Sequence, residues 1–202
     1  MDPIVLIVLV VLVIVIVAVV LMYNGLVRQR NRVDETWSQI AVQLKRRHDL
    51  VPNLVNAVKG YMGFEQTVLT EVTEARANAV AAGSQGTREQ AVAENQLTGA
   101  LRSLFAVVEN YPDLKASQNV VSLQNQVTTT ENQISGARDG YNAAVRSYNT
   151  AIQSFPAVLM AGMMGFGRRE FFEAEPEAAE TPVAGRQGRC RMTVSRHRVA
   201  SN

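Results

Sequence analysis

VVSLQNQVTTTENQISGARDGYNAAVRSYNTAI, residues 120–152, decides the fold. Val120, Leu123, Val127, Thr130, Ile134, Ala137, Tyr141, Ala144 and Tyr148 follow one another at steps of three and four. That spacing lines one face of an α-helix and fits no strand. The helix is predicted to begin near Asp113 or Leu114 and to run for about forty residues. It should stop at Phe155-Pro156, because proline removes an amide donor and restricts the residue before it.

Upstream, Leu97, Leu101, Leu104, Val108 and Tyr111 make a second stripe, closed by Pro112 and opened by Thr87 and Gln90 in capping-box spacing. Gly83-Ser84-Gln85-Gly86 separates it from a first stripe that runs through Val33, Trp37, Ile40, Leu44, Val51, Leu54, Val58 and Tyr61 to Val68, Val72, Ala75 and Ala79. Pro52 leaves two readings of that first stripe. A kink keeps one continuous helix, since the stripe holds its phase through Val51 and Leu54; a turn at residues 49–52 splits it and adds a helix. No stretch alternates as a half-buried strand does. Connections as short as residues 83–86 and 111–113 force neighbouring helices antiparallel, so the expected fold is all-α, an up-and-down bundle of three to four helices.

The bundle hangs from a different kind of segment. Residues 4–22, IVLIVLVVLVIVIVAVVLM, are apolar without exception. As a helix they reach roughly 28 Å, about the thickness of a bilayer's hydrocarbon core. A cleaved signal peptide needs a basic start, a shorter apolar run and a small-x-small site. Here the start is Met1-Asp2-Pro3 and the run ends in Val-Val-Leu-Met, so the segment is expected to stay as a single transmembrane anchor. No Lys or Arg precedes it, whereas Arg28, Arg30 and Arg32 follow it. The positive-inside bias then puts the N-terminus outside and the bundle in the cytoplasm. The same three arginines are also candidates for contact with anionic headgroups, against the simpler reading of a topology signal.

Composition narrows the function further. The 202 residues carry 20 basic and 18 acidic side chains, and residues 1–174 hold 15 of each, so no basic body exists to bind nucleic acid. One Cys, Cys190, and two His exclude a disulfide framework and a zinc site of Cys and His ligands. No cofactor or metal is expected. The chain divides into an anchor (1–22), a helical bundle (23–155), an apolar C-terminal segment (156–174) rich in Met and Gly, and a tail (175–202) with five arginines, too poor in large apolar residues to order itself.

The run WSQIAVQLKRRHDLVPNLV, residues 37–55, closely resembles the LemA family of membrane-anchored bacterial proteins. Further matching motifs are Tyr23-Asn24, Arg30-Asn31, Val58-Lys59-Gly60-Tyr61, Glu109-Asn110-Tyr111-Pro112-Asp113-Leu114-Lys115, Tyr141-Asn142, Tyr148-Asn149 and Phe155-Pro156, in the family's order. The resemblance implies one N-terminal membrane helix, a cytoplasmic four-helix bundle and the bacterial cell membrane as location. It implies no catalytic site. A magnetosome branch of the family is linked to membrane organisation, which suggests such a role by analogy. The tail departs from the family pattern after Pro182-Val183, where it becomes arginine-rich.

Clusters of reactive side chains yield little chemistry. His48-Asp49 beside Lys45-Arg46-Arg47 is the most reactive-looking, but neighbours in sequence point to different helix faces, so a solvated or interface-forming polar face is expected instead of a dyad. Gly60-Tyr61-Met62-Gly63 lacks the Lys-Ser/Thr of a phosphate loop. Tyr141-Asn142 and Tyr148-Asn149 repeat at a seven-residue interval and line one face. They either pack inside the bundle with their polar tips outward or meet a second subunit. Because the second stripe is much shorter than the third, part of the third helix must face the membrane-proximal first helix or another copy. Anchoring confines copies to two dimensions and favours lateral contact, so a homo-oligomer using the Tyr-Asn face is the expectation. The function expected is a non-enzymatic, bilayer-anchored interaction protein that organises membrane or envelope partners. The alternative is a component of a membrane signalling or stress-sensing system.

Overall fold

A computed structural model describes residues 2–60 and 65–173. The arginine-rich tail and part of the Gly60–Gly63 motif lie outside the described residues. Helix α1 (Pro3–Lys59) is a single element of 57 residues, opened by a proline at its first position, where no amide donor is needed. Then come α2 (Gln66–Ala82), α3 (Thr87–Val108), the one-turn α4 (Pro112–Ala116) and α5 (Gln118–Gln153). A 3-10 turn at Ala157–Leu159 and further turns through residue 165 lead into a stretch without regular structure at 166–173. Among the described residues there is no strand.

Within α1 two different helices are fused end to end. Apolar side chains from Ile4 to Val17 are exposed all round, as lipid contact requires. From Leu26 onward one stripe turns inward: Leu26, Val33, Ile40, Leu44, Arg47, Val51, Leu54 and Val58 are buried. Among the described residues one helix is long and apolar enough to cross a membrane, and it enters the bundle with no break.

Pro52 sits inside α1 without ending it. Proline has no N–H for the carbonyl four residues back, which here is that of His48. Arg76, on α2, donates its Nε to that carbonyl at 2.7 Å and restores the missing bond from a neighbouring helix. The first stripe is divided instead after Lys59, short of the expected end near Ala79, so that α2 (Gln66–Ala82) becomes a separate helix and the bundle has four long ones. Gly86 also departs from the capping-box expectation. Helix α3 begins at Thr87 as predicted, but no side chain caps it, and the Gln90 amide bonds to the Gly86 carbonyl at 3.0 Å. Gly86, at φ 155°, takes a conformation that side chains rarely adopt.

The four long helices, α1, α2, α3 and α5, alternate in direction. Helix α5 lies antiparallel along α1, with Glu131 beside Arg47, Tyr141 beside Trp37 and Ser147 beside Gln29. Val51, Leu54, Leu69, Leu97, Leu101, Leu104 and Val127 form a four-helix core away from the membrane. A second core toward the anchor gathers Leu26, Val33, Ile40, Tyr141, Tyr148 and Ile152 with Ala157, Ala161, Phe166 and Phe172. Helix α3 reaches this core only near its start, with Ala91, and the rest of α3 and all of α2 lie beyond it. The chain's own residues 157–172 take their place.

Candidate functional site

Two polar constellations stand out against the apolar interior. The first is centred on Arg47, which is fully buried. Its guanidinium pairs with Glu94 of α3 and with Glu131 of α5, and donates to the Thr98 hydroxyl at 2.8 Å and to the Glu94 carbonyl at 3.2 Å. Thr98 in turn donates to Glu131 Oε2 at 3.2 Å. His48 Nε2 lies 2.9 Å from Glu94 Oε1, close enough for electrostatic attraction, although neither atom completes a directed hydrogen bond. Arg138 of α5 donates to Asn95 at 2.8 Å and sets its guanidinium over the Phe172 ring, 4.9 Å from the centroid.

The electrostatics follow from this packing. Burial pushes the Glu94 carboxyl upward, but His48 and Arg47 together outweigh it and hold the group below its ordinary range. Burial lowers Arg138, helped by the nearby Arg47 charge and opposed by Glu131 and Glu94. Glu94 is thus an ionised carboxylate fully enclosed by protein, with a guanidinium already on it. Such an arrangement joins three helices at one point and presents no free nucleophile or open carboxylate to a substrate. Among the described residues no three His, Cys, Asp or Glu side chains are placed to hold a metal ion.

Residues 45–49 are expected to form one polar face. The structure divides them: Asp49 pairs with Lys45 at the surface, 2.9 Å away, while Arg47 points into the core. A signal for Arg47 was present, since position 47 is three after Leu44 and four before Val51, on the apolar stripe itself. Glu94 likewise stands three residues before Leu97 on the stripe of α3.

The second constellation is the Tyr-Asn repeat. Tyr141 and Tyr148 are buried in the membrane-proximal core. The Tyr141 hydroxyl donates to the Glu170 carbonyl at 2.9 Å, and burial raises its pKa above that of a free phenol. Asn149 uses both ends of its amide on one residue: Nδ2 donates to the Arg169 carbonyl and Oδ1 accepts from the Arg169 amide, both at 2.9 Å. Asn142 does the same with Phe172, accepting its amide at 2.9 Å and donating to its carbonyl at 3.5 Å. In the structure, then, the Tyr-Asn face meets this chain's own returning segment. Two helical turns of α5 match three residues of that segment, which is why the seven-residue interval suits the task.

A family model covers both constellations: that of the LemA family matches residues 36–184. The chain belongs to the LemA family. It is similar to Protein LemA of Metamycoplasma hominis, 27% identical over 107 residues, 52% of this chain and 48% of the relative. It is also similar to Magnetosome protein MamQ of Magnetospirillum gryphiswaldense, 25% identical over 188 residues, and to Magnetosome protein MamQ 2 of Paramagnetospirillum magneticum, 26% identical. Each MamQ match takes in 81% of this chain and 69% of the relative. The chain thus spans about half the length of the LemA relative it matches.

The part matched to the LemA family begins after the anchor and after Arg28, Arg30 and Arg32. The structure places these three arginines on α1 within about four turns of the end of the apolar run, all exposed. A LemA-family membrane protein with a bundle packed behind one apolar helix is therefore what sequence, fold and relatives agree on.

Proposed function

We propose that this protein is a non-enzymatic, membrane-anchored scaffold that organises membrane or envelope partners from the cytoplasmic side. The observation that carries this reading is the single helix α1, which joins the span to the bundle with no flexible joint. A rigid bundle held at fixed height over the bilayer presents its outer faces to partners in two dimensions. The interior supports the same reading, because its buried charges are engaged with one another and leave no reacting group exposed. The MamQ relatives are named as magnetosome proteins, in keeping with a task at a membrane.

Orientation follows from Arg28, Arg30 and Arg32, which stand on the bundle side of the anchor with no positive charge on the other. Reporter fusions test it: a reporter active only in the cytoplasm should work when joined behind residue 173, and one active only outside should not. The reverse result would overturn both the orientation and the cytoplasmic scaffold.

A second reading, signal transmission, draws on the same helix. Residues 23–33 contain no break between the span and the bundle, so a movement of the anchor reaches the Arg47 network directly. Inserting two glycines after Gly25 separates the readings. A scaffold keeps its partners, whereas a transmitter loses its response. Self-association in the membrane is part of the scaffold proposal, and with Asn142 and Asn149 bound within the chain it would use a different face.

A further inference from the structure

Outside the apolar span, the three most exposed large apolar side chains in the described residues are Met163 at 88%, Phe155 at 80% and Leu159 at 68%. All three belong to the loop that follows α5. Their neighbours Ala157, Ala161 and Phe166 are buried in the core that includes Leu26, with Met22 and Val27 packed against it. The Phe166 ring meets that of Tyr23 edge-on at 5.6 Å. The loop is therefore fixed beside the last residues of the anchor.

Its depth can be worked out along α1. Apolar residues run to Met22, and each helical residue advances about 1.5 Å. Leu26 lies about 6 Å beyond that end. Val19 lies about 4.5 Å before it, within the apolar run. Val19 and Met22 are half-buried, whereas residues 4–18 are all exposed, so the covered face of α1 continues into the end of the span. Residues 154–167 contain no charged side chain. An uncharged loop with its buried residues facing the bundle and its largest apolar groups facing outward, at this height, is surrounded by the boundary between acyl chains and headgroups.

The geometry points to a second membrane contact: the loop at residues 155–164 inserts Phe155, Leu159 and Met163 into the leaflet in which the anchor ends. The occupant is the phospholipid bilayer that the span already crosses, because the loop continues the span's own lipid-facing surface. The inference holds for either orientation of the protein, so it stands or falls separately from the cytoplasmic scaffold.

Site-directed labelling of the full chain tests it. Cys190→Ser supplies the background, and Leu159→Cys, Met163→Cys, Leu21→Cys and Val121→Cys each receive an environment-sensitive fluorophore. The variants are placed in vesicles of phosphatidylglycerol and phosphatidylethanolamine with or without brominated acyl chains, and far-UV circular dichroism checks that each remains folded. Positions 159 and 163 should be quenched by brominated lipid nearly as strongly as position 21 and several-fold more than position 121, far up the bundle. Quenching at 159 and 163 no greater than at 121, with free access for aqueous iodide, would overturn the proposal. So would shielding from both quenchers with energy transfer between labelled copies, which would assign the loop to a second copy of the chain.

Discussion

Replacing Arg47 by Met removes the one cation that touches both carboxylates at the centre of the bundle. Glu94 is wholly buried and would keep only His48, while Glu131, about a quarter exposed, would lose its partner but not all its water. Breaking a buried pair from one side costs about 3–5 kcal/mol, because the remaining charge is left uncompensated. Glu94 carries most of that cost. Its carboxyl is held below its ordinary range in the wild type, so its contribution to stability is complete above the unfolded-state value and is lost as pH falls through the folded-state one. Without Arg47 the burial effect is freed and the folded-state value rises. The acid-side slope from this residue then flattens, because less stability is lost when Glu94 takes up its proton. Urea unfolding of the full chain in detergent micelles, followed by far-UV circular dichroism from neutral to mildly acidic pH, reads both effects. Arg47→Met should lose about 3–5 kcal/mol near neutrality, and less as pH falls, while Arg47→Met/Glu94→Gln should recover a large part of the loss. A loss below about 1 kcal/mol, or an unchanged acid-side slope, would refute the assignment of Arg47 and Glu94 as an ionised pair.

Two further expectations concern backbone groups. Asn149→Ala removes two hydrogen bonds to the returning segment and Asn142→Ala three, one of them to the Glu173 carboxylate, worth roughly 1 kcal/mol apiece. Trypsin should then cut at Arg168 or Arg169 several-fold faster while the far-UV signal stays unchanged, and an unaltered cutting rate would show that the clasp does not hold the segment. Arg76→Gln should cost about 1 kcal/mol by leaving the half-buried His48 carbonyl unpaired, and Pro52→Ala in the same chain should relieve most of it by restoring the helical donor. Additive costs for that pair would refute the coupling between Pro52 and Arg76.

Helical periodicity made most of this fold readable. On α5 the stripe from Val120 to Tyr148 is buried as its spacing predicts, with Ala137 only partly covered. Anchor and bundle were equally distinct, since one is apolar all round and the other on a single face. Pro52 could not be resolved from local rules, because its tolerance depends on Arg76, 24 positions away. The break after Lys59 was hidden for the opposite reason: the apolar stripe keeps its phase across it, and only tertiary packing shows that the chain turns. Arg47 and Glu94 were overlooked because a charged residue is normally assigned to the solvent side. Their places on two apolar stripes become meaningful only when α1, α3 and α5 are brought together.

Unequal helix length explains the rest. Helices α2 and α3, of 17 and 22 residues, span about 26 and 33 Å, whereas α5, with 36, spans about 54 Å. The shortfall leaves the membrane-proximal parts of α1 and α5 uncovered along Trp37, Tyr141 and Tyr148. Sequence reasoning could see that something must cover this surface, but a helical pattern could not show what, since the covering segment has no helical period. It holds by other means: Phe172 packs edge-on against Trp37 at 5.6 Å, and Asn142 and Asn149 grip the backbone itself. Backbone recognition leaves the segment's side chains free of the register α5 imposes. Arg169 can therefore turn outward to pair with Asp34 of α1 at 3.0 Å, while Phe172 turns inward. The end of the bundle nearest the bilayer is thus closed by directional bonds to the chain that returns from it, while α5 itself carries the apolar loop to the depth of the anchor.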